Sequence, residues 1–398
     1  MILQAEIQRK STLTSSVVRK SLLSSNIVRK SLLQAEIDMP EMVVDIPVLV
    51  PPTIIENSVP TKIKIPYDIA LDEASIPAVG SYVLGSGRTV TLVEPLGLFV
   101  YLTVSSRYYW GDTETVAYTA PVSPNPMIKS TLGGEAASFT ATAITNNVTI
   151  DSRAASLIAQ MTAAGETPTT ARQVAINTYI VNLKANSLFE TQFDALVFSR
   201  GKGAASTKMN FIANIFNALG VNNPTNTEDV GYNSDGSTSY IDTQYTPSTA
   251  GGLMTVNDGC WGFKISGTIL NGISGHGVLD GSNNAIQQIN LTGGSASNRI
   301  NNTVAAGAGV TQRVSGYYCL SRSSNTAFSQ MVNSSITNVN INSGSLPTQP
   351  LNMLRRNIST PYYTATTEIL ECYWIGKSIS QANFLLFQTL TDAFFAAY

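Results

Sequence analysis

From residue 61 onward the chain alternates short apolar runs with polar residues, and Gly, Asn, Asp or Pro closes most runs. Alternation with period two puts every second side chain on one face of a strand. It predicts strands over residues 61–65, 81–84, 88–93, 98–105 and 113–118, with turns at Gly85-Ser86-Gly87 and Gly111-Asp112. Val, Thr and Tyr, which suit a pleated half-buried surface, dominate these runs. Residues 239–243, 260–265, 287–291, 315–321 and 368–375 read the same way, and so many short runs between turns predict a β-sandwich over 193–398. Helical spacing appears in the segment 135–192. Residues 155–161 stop near Gly165, and Thr169 or Thr170 caps a second helix with Val174, Ile176, Ile180 and Leu183 on its buried face and Tyr179 flanking. These helices lack inward polar residues and are expected to dock on the following domain or a symmetry mate. The chain closes in an amphipathic helix capped by Ser378 or Ser380, with Phe384, Phe387, Leu390 and Phe394 on its apolar face and Leu386 beside them.

The first thirty-seven residues follow another rule. Arg9-Lys10-Ser11, Arg19-Lys20-Ser21 and Arg29-Lys30-Ser31 recur every ten residues, among the apolar doublets Ile2-Leu3, Val17-Val18, Leu22-Leu23, Ile27-Val28 and Leu32-Leu33 and the single residues Ile7, Leu13 and Ile37. A spacing of five fits neither a helical face nor strand alternation. It predicts a segment laid against a partner, a symmetry mate or a larger assembly. Residues 38–60 hold Pro40, Pro47, Pro51, Pro52 and Pro60 and read as an extended, semi-rigid linker.

Charged residues make up 13% of the chain, against about 25% in an average protein. Ser, Thr, Asn and Gly replace them, as in β-rich extracellular or virion proteins. The net charge of −2 hides an asymmetry. Residues 1–37 carry six basic side chains and two acidic ones (Glu6, Glu36), so a basic arm precedes a mildly acidic body. Those charges either dock the arm on an acidic surface or keep a sticky repeat in solution. No aromatic residue lies among them, which argues against nucleic acid. The N-terminus has no uninterrupted apolar core of signal-peptide length, and no apolar run long enough for a membrane helix occurs.

Two stretches resemble known families. Ser81-Tyr82-Val83, Arg88-Thr89-Val90, residues 100–105, Gly111-Asp112-Thr113 and residues 116–121 resemble the immunoglobulin-like repeat of bacterial surface and swimming-associated proteins, with Glu114 where the family has an apolar residue. Such modules are spacers. Residues 175–178, 193–196, 208–210, 257–258 and above all the string Asp235-Gly236-Ser237 through Ser248 resemble phage and prophage proteins that carry a concanavalin A-like (laminin G-like) jelly-roll behind a helical pair. The expected fold is therefore mainly β: an extended N-terminal repeat arm (1–37), the linker (38–60), an immunoglobulin-like β-sandwich (61–122), a short helical pair (135–192) and a C-terminal concanavalin A-like jelly-roll sandwich (193–398) ending in a helix.

Jelly-rolls of this class include glycoside hydrolases, lectins and inert domains. A retaining hydrolase needs two carboxylates about 5 Å apart. The nearest candidate is Glu368-Ile369-Leu370-Glu371, which lacks the central Asp of laminarinase-type enzymes. Its three-residue step puts the glutamates on opposite faces of a strand, one expected solvated and one buried. Asp235, Asp242, Asp258 and Asp280 are the acids available to calcium, but they lack a compact ligand spacing and read as turn residues. Trp261, Tyr317, Tyr318, Tyr362, Tyr363 and Trp374 are candidates for stacking on sugar, against a default of core packing. His276, the only histidine, lies in Gly275-His276-Gly277 and reads as a turn. Cys260, Cys319 and Cys372 are odd in number and widely spaced, which argues against a zinc site or a disulfide framework and leaves open whether one pair is bridged. No catalytic residue, metal or cofactor is assigned.

The resemblance implies a non-enzymatic bacteriophage virion protein, a head fibre, capsid decoration or tail fibre. It would be assembled in the host cytoplasm and exposed on the particle. Residues 1–60 would anchor it to capsid, portal or tail proteins, a homotrimer is the expected state, and the distal domain would touch a host surface glycan without membrane insertion. A tail-associated polysaccharide depolymerase and a bacterial surface adhesin are the alternatives.

Overall fold

The computed structural model describes residues 45–267, 274–280, 285–290, 296–302, 315–357, 362–363 and 367–398. The repeat arm and residues 38–44 of the Pro-rich stretch lie outside the described residues. The protein is mainly β, with two β units and three helices among the described residues.

The first unit holds β1 (Thr53–Ile55), β2 (Lys62–Pro66), β3 (Tyr82–Leu84), β4 (Val90–Leu96), β5 (Phe99–Val104), β6 (Thr115–Tyr118) and β7 (Phe139–Asn146). Their spatial order is β3-β6-β7-β1-β2-β5-β4. Split at the parallel pair β1/β7, the halves β1-β2-β5-β4 and β3-β6-β7 are the A-B-E-D and C-F-G sheets of the immunoglobulin fold. Alternation closes the sandwich: Ile63 and Ile65 of β2, Val100 and Leu102 of β5 and Val116 of β6 are fully buried in one core.

That core also includes Ile55, Ile144 and Val148, so the unit is wider than the expected 61–122. Residues 139–146 are a strand, not part of a helical segment. Only Ile144 is buried in β7, so its placement rests on backbone pairing with β6 and β1 rather than on apolar periodicity. Likewise β1 lies inside the stretch read as a linker. Its Thr53 is buried, and Pro-rich surroundings hid the strand.

The second unit starts with helices α1 (Ser152–Ala163) and α2 (Thr170–Ala185) and ends with α3 (Gln381–Ala397). Asp151, Thr169 and Ser380 cap them, each side chain accepting a backbone N–H of the first turn. Between them run β8 (Phe193–Phe198), β9 (Leu219–Val221), β10 (Thr225–Thr227), β11 (Gly231–Asn233), β12 (Tyr240–Asp242), β13 (Gly259–Gly267), β14 (Ser274–Leu279) and β15 (Ala285–Asn290). There follow β16 (Ala296–Asn302), β17 (Gly316–Arg322), β18 (Phe328–Val332), β19 (Ser335–Val339), β20 (Asn352–Met353), β21 (Arg355–Asn357), β22 (Tyr362–Tyr363) and β23 (Glu368–Gly376). The large sheet runs β10-β11-β23-β13-β17-β18-β19, with β8 also on β23; β16-β15-β14-β21-β22 and β20-β12-β9 form two smaller sheets.

The large sheet is covered on both faces. Trp261, Phe263, Leu320, Tyr373 and Ile375 point inward to meet Ile241, Val278, Ile300 and Met353 of the smaller sheets, which makes the jelly-roll-like sandwich. The alternate residues Cys260, Tyr317, Cys319, Cys372 and Trp374 point outward and meet Leu157, Ile180, Leu183, Phe384, Phe387 and Phe394 of the three helices. The helical pair thus shares a core with the jelly-roll and is one body with it. Val174, expected in the helix core, is only half-buried and faces the first unit instead.

Candidate functional site

The glutamates of β23 sit on opposite faces, as the three-residue step requires, but neither is solvated. Glu368 is fully buried and its Oε1 lies 2.7 Å from Nε2 of His276. The Leu354 N–H donates to Nδ1 of the same ring over 3.0 Å, which places the proton of the neutral imidazole on Nε2, toward the carboxylate. His276 is therefore not a turn residue. It is a wholly buried member of β14, stacked against Phe263 at 4.2 Å between ring centroids. The flanking glycines that suggested a turn are part of the strand. No solvent reaches this pair, so it is out of reach of a polysaccharide.

Glu371 faces the helices. Its Oε2 is 3.3 Å from Lys264 Nζ and 3.7 Å from Arg200. Lys264 also holds Asp392 of α3 at 2.9 Å, and the Tyr317 hydroxyl donates to the same oxygen at 2.7 Å. Burial pulls the Lys264 ammonium pKa down, but Asp392 and Glu371 outweigh it and hold it above the usual lysine value. This network clamps α3 to the sheet.

Of the aromatic candidates, Trp261, Tyr317, Tyr318 and Trp374 are all core residues. Of Tyr362 and Tyr363 only the backbone, in β22, lies within the described residues. The acids offered to calcium lie apart from one another, and Asp242, read as a turn residue, is the last residue of β12. Asp235 accepts the N–H groups of Ser237, Thr238 and Ser239 and the Thr238 hydroxyl, and these bonds, that from Ser239 foremost, hold its carboxyl below the usual range. Asp242 accepts Gln244 N–H, Asp258 accepts Ser378 N–H and Asp280 accepts Thr348 N–H. Among the described residues no group of three or more His, Cys, Asp or Glu could hold a metal ion. The three cysteines are free and buried on the helix-facing side, and burial pushes the thiols of Cys260 and Cys372 well up, so both act as small apolar residues.

The most elaborate polar geometry is at the joint between the two units, where no candidate was placed. Residues 147–151 connect β7 to α1, and their backbone is tied down step by step. Asn147 N–H donates to Ile55 O at 3.0 Å, Val148 N–H to Asn146 Oδ1 at 3.0 Å and Thr149 N–H to Asn57 Oδ1 at 3.2 Å. Asp151 N–H then donates to Asn177 Oδ1 of α2 at 2.7 Å. Val148 is buried in the first core and Ile150 packs on the second. Asp151 caps α1 and pairs with Lys184 at 3.0 Å.

The turn before β6 completes the joint. Tyr109 OH donates to Asn182 Oδ1 of α2 at 2.7 Å, and Asn146 Nδ2 donates to the carbonyls of Tyr109 and Asp112 at 2.7 and 3.0 Å. Gly111 takes φ +82°, and a Cβ there would stand 2.8 Å from Val174 Cγ2, so glycine is required for both conformation and approach. A groove of about 470 Å³ opens here between Gly111, α2 and α3. Behind the turn, Glu114 is buried at the spot where the resembled family has an apolar residue. It accepts Ser86 N–H and Thr115 N–H at 2.9 Å each, Tyr108 OH at 2.9 Å and the Ser86 hydroxyl. Burial pushes its carboxyl up, yet these donors together hold it below the usual value. Arg88 pairs with Asp112 at 2.5 Å and covers the Tyr108 ring at 4.2 Å. The one sequence clue was the departure at Glu114; the Asn and Tyr partners, distant in sequence, gave none.

No family model and no curated protein matches the chain. Similar solved structures include a mutant of Trypanosoma rangeli sialidase displaying trans-sialidase activity, at 8% identity and TM-score 0.41 over 72% of this chain and 44% of that one. The binding domain of botulinum neurotoxin serotype D is similar at 8% identity and TM-score 0.36, over 50% of this chain and 52% of that one. The N-terminal part of the bacterial S-layer protein SbsC is similar at 16% identity and TM-score 0.21, over 36% of this chain and 35% of that one. The chain thus spans about half or less of these proteins, and likeness of this size leaves the fold to rest on strand order and shared cores.

Proposed function

We propose that this protein is a non-enzymatic structural component of a bacteriophage particle, a fibre or capsid decoration. The basic repeat arm fastens it, the immunoglobulin-like unit is a spacer, and the jelly-roll is carried outward, where it meets a host surface glycan. The observation that carries the reading is the joint. The N–H groups of residues 147–149 and 151 are all bonded and both cores reach into the connection, which favours a stiff connection between the two units. A stiff joint suits display at a fixed distance and orientation; a flexible linker would not. The layout agrees. Residues 48–50 bond to Pro66 and Asp68 at one end of β2, while the other end, at Lys62, lies with Pro60 and Tyr108 toward the joint. Arm and jelly-roll therefore leave the spacer at opposite ends. The assignment to a phage particle rests on the resemblance of residues 235–248.

The test is incorporation. Full-length protein and a version lacking residues 1–37 are expressed in infected host cells, and purified particles are probed for each. The full chain is expected on particles and the truncated one in the soluble fraction; particles that take up both equally overturn the anchor. A reducing-sugar assay on host capsule and cell wall with the full chain separates this reading from a depolymerase, since sustained sugar release would overturn the non-enzymatic part.

A further inference from the structure

The end of the immunoglobulin-like unit away from the joint is unusually apolar. The extended segment entering β1 alternates in an uncommon way. Pro47 and Leu49 face the unit's own core, while Ile46, Val48 and Val50 face solvent at 55%, 56% and 42% exposure. Beside it stands the β4–β5 hairpin, whose tip is Leu96-Gly97-Leu98, with both leucines exposed at 56% and 44%. Tyr67 links the two, since its N–H donates to Leu98 O and its backbone bridges Leu49. Hairpin tips and unit ends are ordinarily polar, and exposed apolar side chains gathered at one end of a unit mark an interaction site. Acidic side chains rim it: Asp45 and Asp68 are exposed, and Glu73 accepts the Gly97 N–H at 3.2 Å.

The chain's own arm has the complementary chemistry. Residues 1–44 precede Asp45 and so join the unit at this face. They repeat an apolar doublet followed by a basic pair, Val17-Val18-Arg19-Lys20 and Ile27-Val28-Arg29-Lys30. We propose that the apolar arm end of the immunoglobulin-like unit is the receptor for the repeat arm of a neighbouring copy. The doublet covers Val48, Val50, Leu96 and Leu98, and the Arg-Lys pair meets Asp45, Asp68 and Glu73. Stoichiometry favours a neighbour over the chain's own arm. Each copy has one such face but two of these doublet-and-basic units, so one remains for another copy. Ten residues of extended chain reach about 33–36 Å, close to the diameter of a ~100-residue domain with a radius of gyration of about 13 Å. Successive repeats can therefore step from one copy to the next. This rests on the arm being an assembly element, as proposed above, and names what it assembles on.

Light scattering on the purified full-length protein tests it without any particle. Wild type is expected to be an oligomer. The face variant Leu98→Asp and the arm variant Arg19→Glu/Lys20→Glu/Arg29→Glu/Lys30→Glu are each expected at monomer mass, with self-association weakened by about tenfold or more. Leu98 sits at solvent, and an unchanged near-ultraviolet dichroism spectrum confirms folding of each variant; Val48→Asp is the second face variant. An equimolar mixture of the two variants pairs an intact arm with an intact face and is expected to recover a heterodimer. A monomeric wild type, a face variant that keeps the wild-type mass, or a mixture that stays monomeric overturns the proposal. If truncation of 1–37 abolishes particle incorporation while Leu98→Asp stays oligomeric, the arm remains an anchor and this face is not its receptor.

Discussion

β5 of the immunoglobulin-like unit buries Val100, Leu102 and Val104 and shows Phe99, Tyr101 and Thr103 outward. β23 of the jelly-roll buries every residue except Ile369, including two glutamates. Both are strands in sandwiches. The first sheet has one covered face; the second has a sandwich partner on one side and three helices on the other. Polar residues follow from this. On the open face of the first unit Lys62 and Lys64 lie over Tyr101 and Phe99 and pair with Glu94 and Glu56 in partly exposed bridges. In the doubly covered sheet each carboxylate has a specific cation or imidazole partner, because an unpaired charge there would be costly. A sheet closed on both faces has no broad surface for ligand, which leaves loops, sheet edges and the smaller sheets for recognition.

The largest expected effect tests the closed face. Trp374 is fully buried between the sheet and α3, 4.8 Å from the Phe387 ring. Trp374→Ala is expected to cost about 3–5 kcal/mol and to lower calorimetric unfolding of the jelly-roll far more than that of the first unit. An equal drop in both would show that the joint makes them one cooperative body.

Gly111→Ala probes that coupling directly. It forces a side chain into φ +82° and against Val174, with an expected cost of about 1–3 kcal/mol. The transitions of the two units should then move further apart, and limited proteolysis should begin within residues 147–151. Resistance to cleavage would mean the backbone bonds alone stiffen the joint.

A pH series on Glu114→Gln comes next. The folded carboxyl sits below its unfolded value of about 4.3. Its stabilisation is thus fully present above that value and disappears as pH falls through the lower folded one. The substitution is expected to cost about 1–3 kcal/mol at neutral pH and progressively less as pH falls through the lowered folded value, read from urea midpoints. A penalty independent of pH would show that Ser86 and Tyr108 need an acceptor but not a charge.

The smallest effect belongs to the open face. Lys62→Ala breaks a bridge whose side chains are 35% and 42% exposed, and a loss of about 0–1 kcal/mol is expected. A cost as large as that of the buried substitutions would mean that this face is covered in the assembled protein.

Much of the molecule was legible along the chain. Strands β2 to β6 and the central strands β13, β17 and β23 follow from Val, Ile, Thr and aromatic residues between turn signals, and the helices follow from Thr169 and Ser380 ahead of apolar stripes. β7 was not legible, because a strand with one buried residue carries no pattern, and neither was β1 among prolines. His276 shows the same limit: Gly-His-Gly reads as a turn until Glu368, ninety-two residues away, supplies the partner that holds it in a strand.

What the sequence determined by itself is local: period, caps, turns, the repeat with its basic pairs, and the mainly β character. Each depends on neighbours within a few residues, where side-chain direction and backbone preference act directly. Tertiary structure alone decided which face of each strand is covered and where the carboxylates find their partners. It also decided that residues 147–151 are bonded to both units and that apolar side chains at the arm end stand uncovered. These depend on pairings across tens to hundreds of residues, Tyr109 with Asn182 or Tyr179 with Thr391, which no local pattern encodes.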